Sequence, residues 1–280
     1  MKQERTIINT LGMTWAVIPG GTFHKDLTTA ENLLAAVNTL STTGRIRLLS
    51  LYKPSWHDTG KIAGSTSLDS SCHGCEFCQR MRSKEDDLLC ICNYCYDYNQ
   101  EQRYIDTLNR HRLNMLIMSA IDYTEEELKI VSVSLFTRVN SSGDTPNIIY
   151  ARNMIRIAYI NPFANVGYWF KNYAAVMAAI DQLGKPKNLS LIYSIARINY
   201  IPDPEIFDSR IDYFFIVCTP KKIEKIFGSI PCNECNGKKC GSKECGWKCY
   251  TKTHKHGKLI VEVLRASKKK IAAIDALEEK

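Results

Sequence analysis

The spacing of apolar positions changes along the chain, and each change marks an element. Thr6–Asn9 and Thr14–Ile18 are short β-branched runs that read as strands, closed by the turn Pro19-Gly20-Gly21. Thr28-Thr29-Ala30-Glu31 has capping-box spacing, and Leu33, Leu34, Val37 and Leu40 then recur on one helical face. Ile46–Leu51 reads as a further strand. From Pro54 to Cys95 no period persists. The stretch is rich in Ser, Gly, Asp and Cys and reads as a long loop ordered by a metal rather than by a core of its own. A helix is expected over Asn99–Met118, with Tyr104, Leu108 and Met115 facing inward, then a second capping box at Thr124-Glu125-Glu126-Glu127.

Beyond that point strands and helices alternate. Strands are read at Ile130–Val139, Asn165–Phe170, Leu189–Ile195, Ile211–Cys218 and Leu259–Val263. Helices are read at Pro146–Ile160, Ala174–Leu183 and Lys221–Phe227, with a basic helix at the C-terminal end. This rhythm predicts an α/β fold, a mainly parallel sheet of βα units, with cysteine-rich metal-binding segments near both ends. Chemistry in such sheets gathers in the loops that follow the strands. Three parts are expected: an N-terminal α/β segment (1–56), a βα core with a cysteine loop (57–230), and a C-terminal cysteine cluster with a basic tail (231–280).

Composition narrows the class. The 280 residues are 45% hydrophobic, enough for a full core. No run approaches the roughly 18 apolar residues of a membrane span, and no membrane partner is expected. Met1-Lys2-Gln3-Glu4-Arg5 leads into no signal-peptide pattern, which predicts a cytoplasmic location with reduced thiols. The net charge of +8 concentrates near Lys238, Lys239, Lys243, Lys248, Lys252, Lys255 and Lys258 and at Lys268-Lys269-Lys270. Such a surface could meet nucleic-acid phosphates, or could be a solvated face balancing metal-bound thiolates.

Eleven of the twelve cysteines fall in two clusters. The first is Cys72-x2-Cys75-x2-Cys78-x11-Cys90-x-Cys92-x2-Cys95, and the second is Cys232-x2-Cys235-x4-Cys240-x4-Cys245-x3-Cys249. Thiols this close can converge on one ion or cluster, and they are too close to staple distant elements as disulfides. Both segments are expected to bind metal: an iron–sulfur cluster, or Zn2+, either in its place or at the C-terminal cluster. In the second segment Cys232, Cys235, Cys245 and Cys249 form the tidiest set, with Cys240 spare. His57, His73, His254 and His256 lie nearby and rank behind sulfur as ligands, while Cys218, in an apolar strand, reads as a packing residue.

Cys92-Asn93-Tyr94-Cys95 resembles the second half of the three-cysteine loop with which radical S-adenosylmethionine enzymes hold a 4Fe–4S cluster. Leu88 stands where the first cysteine of that loop would fall, so Cys90 or Cys78 serves instead. Ser142-Gly143-Asp144, just after a predicted strand, is similar to the glycine–acid strand end where those enzymes recognise the amino group of their cofactor. The same tripeptide is also an ordinary turn. Lys171 and Arg138, both at strand ends, are candidate catalytic residues. Lys171 could meet a substrate carbonyl, phosphate or carboxylate, and Arg138 could orient Asp144 through an ion pair.

A longer series of motifs resembles the phage gene-product-88 family. It comprises Gly60-Lys61-Ile62-Ala63-Gly64-Ser65-Thr66-Ser67, Phe77-Cys78-Gln79, Cys92-x-x-Cys95-Tyr96, Arg112-x-Asn114, Arg138, Ser142-Gly143-Asp144, Trp169-Phe170-Lys171-Asn172 and Cys245-x3-Cys249-Tyr250. The resemblance implies a phage protein in the host cytoplasm, similar to radical S-adenosylmethionine enzymes, on a partial TIM-barrel-like sheet. Cluster ligands would come from Cys78, Cys92 and Cys95, with Cys90 as the alternative, and cofactor contacts from Tyr94, Ser142, Gly143 and Asp144. The chain departs from the family in its extra Cys72, Cys75, Cys90, Cys235 and Cys240, and in Phe170 where a threonine is usual. Two functions follow. One is an iron–sulfur enzyme acting on an unspecified small-molecule or macromolecular substrate. The other is a zinc-stabilised binding module that contacts nucleic acid or a host protein through its basic C-terminal region.

Overall fold

The computed structural model describes residues 6–10, 13–17, 42–73, 75, 79, 87–227, 240–242, 245–253 and 257–278. The helix expected from Thr28 lies outside them, as do Cys78, Cys232, Cys235, His254, His256, Lys238, Lys239, Lys243 and Lys255. Strands β1 (Thr6–Thr10) and β2 (Met13–Val17) pair antiparallel as a separate two-stranded sheet, as their alternation predicts.

The main sheet has seven strands in chain order: β3 (Ser55–His57), β4 (Ser65–Leu68), β5 (Phe136–Val139), β6 (Asn165–Phe170), β7 (Leu189–Ser194), β8 (Tyr213–Cys218) and β9 (Leu259–Val263). β3 and β4 form an antiparallel hairpin, and every later neighbour is parallel. The α/β class and the parallel βα units are therefore present. Parallel neighbours in strict chain order need crossovers of one hand, which places the connecting helices on one face of the sheet.

Side-chain alternation separates the two faces. Leu68, Val139, Val166, Tyr168, Phe170, Leu189 and Leu191 share a buried core with residues of α3 (Ile105–Ala120), α5 (Ile148–Ile160) and α6 (Tyr173–Leu183). Ser67, Arg138, Gly167, Trp169, Ser190 and Ile192 point the other way, as the strand period of two requires. That inner face is covered by Trp247, Cys249 and Tyr250 around α8 (Lys248–Thr251). Lys61, in the β3–β4 turn, lies 3.7 Å from Glu262 of β9, so the two ends of the sheet approach one another.

Several readings of the pattern need correction, and of the strand read at Ile130–Val139 only Phe136–Val139 is strand. Ile46–Leu51 is no strand: Thr42–Leu49 is a helix, α1, with Leu48 and Leu49 in the core and Arg45 on Glu127 at 2.7 Å. A short apolar run cannot distinguish helix from strand by period alone. The Pro54–Cys95 stretch is not loop throughout, since it contains β3 and β4. Small hydroxyl residues on the inner face of β4 hid its alternation, for Ser67 is fully buried but hydrogen-bonded to Asp69 and His57. The helix expected over Asn99–Met118 is two, α2 (Tyr96–Arg103) and α3, broken at Tyr104, whose backbone is extended. The capping box at Thr124 is formed and starts α4 (Glu125–Leu128). Pro146 precedes Asn147, which caps α5, instead of sitting in its first turn. α7 (Pro220–Phe227) and α9 (Lys268–Glu278) complete the order. Among the described residues no helix is long and apolar enough to cross a membrane.

Candidate functional site

Parallel β4 and β5 release their following loops at the same edge of the sheet, with Leu68 in register with Val139. The two loops interlock. Asn140 N–H donates to the Leu68 carbonyl (3.0 Å), Ser70 N–H to the Ser142 carbonyl (3.3 Å), and Ser70 Oγ to the Asp144 carbonyl (2.6 Å). At their meeting point Gly143 N–H donates to Cys72 Sγ at 3.3 Å, with Ser142 Oγ 3.5 Å from the same sulfur. Gly143 has φ +78°, and a Cβ there would lie 2.2 Å from Ser70 Oγ and 2.5 Å from its carbonyl. Only glycine fits.

Two buried carboxylates fix these loops. Glu101, 1% exposed, accepts from Cys72 N–H (3.1 Å), His73 N–H (3.3 Å), Ser71 Oγ (3.0 Å), Ser142 Oγ (3.3 Å) and His111 Nδ1 (2.8 Å). Asp69, 2% exposed, accepts from Ser67 Oγ (2.5 Å), Ser141 Oγ (2.5 Å) and Ser142 N–H (3.1 Å). His111 also lies 3.9 Å from Asp69, so it stands between the two carboxylates. Buried charge persists only when partnered in this way.

The thiols gather around this frame. Cys72 and Cys95 are 3.9 Å apart through sulfur, and Cys75, Cys90 and Cys92 pack as a second buried group. The bond with Cys95, and then burial, raises the Cys72 thiol, whereas the bond from Cys92 lowers Cys90 to about 7. Burial, helped by the Cys95 thiol, pushes Asp97 up to about 7. Among the described residues no three His, Cys, Asp or Glu side chains converge on one ion position.

The other expected residues are distributed differently. Asp144 is buried, which raises its carboxyl, and its Oδ1 accepts from Lys171 N–H at 2.8 Å. Its neighbour is therefore the end of β6, and Arg138 is not its partner. Arg138 faces the inner side of the sheet, 4.1 Å above the Trp169 ring. The Tyr94 hydroxyl donates to the Leu88 carbonyl (3.2 Å), and Lys270 lies 5.4 Å from its ring. His57 bonds Ser67 (2.7 Å), and His73 stacks on Tyr98. Cys218 is fully buried on the helix side of β8, as expected of a packing residue. Asp69, Glu101 and His111 escaped the reading of the sequence. Glu101 sits among polar residues of a short helix, and nothing in its spacing marks it as inward-facing.

The second cysteine segment lies against the inner face. Cys240 and Cys245 are hydrogen-bonded to one another, which with burial raises Cys240, and Cys249 lines the same cavity. Cys240 N–H donates to the Lys61 carbonyl (2.7 Å), tying the segment to the β3–β4 turn. Trp247 stacks on Phe136 with centroids 4.5 Å apart, and Tyr250 meets Trp169, Trp247 and Phe136. Comparison with protein-family models, curated proteins and solved structures gave no match, so the functional reading rests on the chain's own residues.

Proposed function

We propose that this chain is an iron–sulfur enzyme similar in type to radical S-adenosylmethionine enzymes, acting on a substrate that its sequence does not specify. One observation carries the reading: the cysteine loop after β4 and the glycine–acid turn after β5 meet, with Gly143 N–H on Cys72 Sγ. Six parallel strands in chain order, with Lys61 near Glu262, support a sheet curled into a partial barrel of the TIM type.

The chemistry of the donors suits the group: Cys72 with Cys95, and Cys75 with Cys90 and Cys92, are two sets of soft sulfur donors, and Cys78 belongs to the same segment of sequence. The cluster, when bound, supplies single electrons for cleavage of S-adenosylmethionine. The protein supplies the frame. Glu101 and Asp69 hold the cysteine loop against the β5 loop, Gly143 N–H donates to Cys72 sulfur, and Asp144 fixes the end of β6 through Lys171 N–H. Hydrogen bonds to cluster sulfur tune its potential, so Gly143 is placed to do so. In the C-terminal segment Zn2+ remains the alternative metal.

The test is cleavage of S-adenosylmethionine by protein purified without oxygen and then reduced. The wild type should cleave it, and Cys95→Ala should lose both the cleavage and the broad cluster absorbance near about 400 nm. Retention of both in that variant contradicts the assignment.

A further inference from the structure

A cavity of about 60 Å3 opens on the inner face of the sheet, walled by Lys61, Arg138, Trp169, Tyr250, Glu262 and the thiols of Cys240, Cys245 and Cys249. Its polar wall is unbalanced. Trp169 Nε1, Tyr250 Oη and Arg138 Nε are all buried, and none has a hydrogen-bond partner. Trp169 and Tyr250 are 8% and 3% exposed, so bulk water does not satisfy them. An indole and a guanidinium can only donate. The carboxylate of the cavity, Glu262, is directed to Lys61 at 3.7 Å and Arg265 at 4.0 Å, and Cys240 and Cys245 bond one another. Donors and positive charge therefore face a space that holds no matching acceptor.

We propose that this cavity receives a compact anionic group that only accepts hydrogen bonds, held by Arg138, Trp169 and Tyr250. The volume corresponds to about two water molecules, which suits one carboxylate or one tetrahedral oxyanion. That group is the carboxylate or phosphate end of a small molecule entering from the inner face. The site does not depend on a cluster at the Cys72–Cys95 loop.

The experiment uses the full chain. Thermal unfolding is followed against inorganic phosphate and against acetate, with chloride at matched ionic strength as the control. Saturable stabilisation by either anion, weakened about tenfold or more in Arg138→Gln and in Trp169→Phe, assigns the acceptor to a small molecule. Trp169→Phe removes the indole N–H and keeps an aromatic ring at the site without removing a charge, so it remains informative if Arg138→Gln unfolds. If neither anion stabilises the wild type beyond the chloride control, or if both stabilise Arg138→Gln and Trp169→Phe as much as the wild type, the proposal is overturned. Loss of cluster in Cys95→Ala bears on the function proposed above and leaves this test untouched.

Discussion

The two cysteine regions are held by opposite physics. Around Cys72 the surroundings are polar: Glu101 and Asp69, both nearly fully buried, accept eight hydrogen bonds between them, mostly from the loops they join. Around Cys249 the surroundings are aromatic, with Phe136, Trp169, Trp247 and Tyr250 in mutual contact. Packing tolerates small shifts as long as volume is conserved, whereas a saturated network of directed hydrogen bonds fixes atoms to fractions of an ångström. The first region is built for position. The second is built to fill the inner face and to tie the turn between β3 and β4 to the sheet.

That contrast can be broken in order of expected effect. Tyr250→Ala, which empties the centre of the aromatic group, should destabilise by about 3–5 kcal/mol, read as a lower denaturation midpoint. A loss below about 1 kcal/mol would mean that the second region is loosely packed and that the contrast fails. Gly143→Ala should cost at least about 2 kcal/mol, because its φ is +78° and the new methyl meets Ser70. It should also release the sulfur frame, so metal content falls with stability. Glu101→Gln keeps the shape but turns one acceptor oxygen into a donor among five donors. It should cost about 1–3 kcal/mol and reduce bound iron more than it reduces the melting temperature. A proportionate fall in both would make Glu101 a residue of general stability. Tyr94→Phe removes one hydrogen bond to the Leu88 carbonyl, worth about 0.5–1.5 kcal/mol, and should leave cofactor cleavage unchanged. Impaired cleavage would restore Tyr94 to the cofactor site that the sequence predicted for it.

The two regions also differ in how far the sequence disclosed them. The alternating half of the chain was legible because β6 and β9 are apolar runs bounded by turn residues, and they fall where the pattern placed them. The first cysteine region was less so. β4 reads Ser65-Thr66-Ser67-Leu68, and its serines are buried through hydrogen bonds, which hydropathy cannot register. Missing β4 hid that Cys72 and Cys75 follow a strand directly. Cys75-Glu76-Phe77-Cys78 repeats the spacing of Cys92-Asn93-Tyr94-Cys95, again with an aromatic before the last thiol. Gly143 was singled out because it precedes a carboxylate just after a predicted strand, but its demand for an absent Cβ comes from Ser70, far away in sequence. Arg138 shows the same limit. Closeness in sequence to Asp144 predicted a pair, whereas Arg138 lies within β5 over the Trp169 ring and Asp144, in the loop beyond it, turns to the end of β6.

The most direct measurement is iron, zinc and acid-labile sulfide per chain in anaerobically purified wild type, Cys72→Ala and Cys240→Ala. The account predicts iron with sulfide in the wild type, lost in Cys72→Ala and kept in Cys240→Ala. Zinc as the sole metal, without sulfide and unchanged by Cys72→Ala, would contradict it.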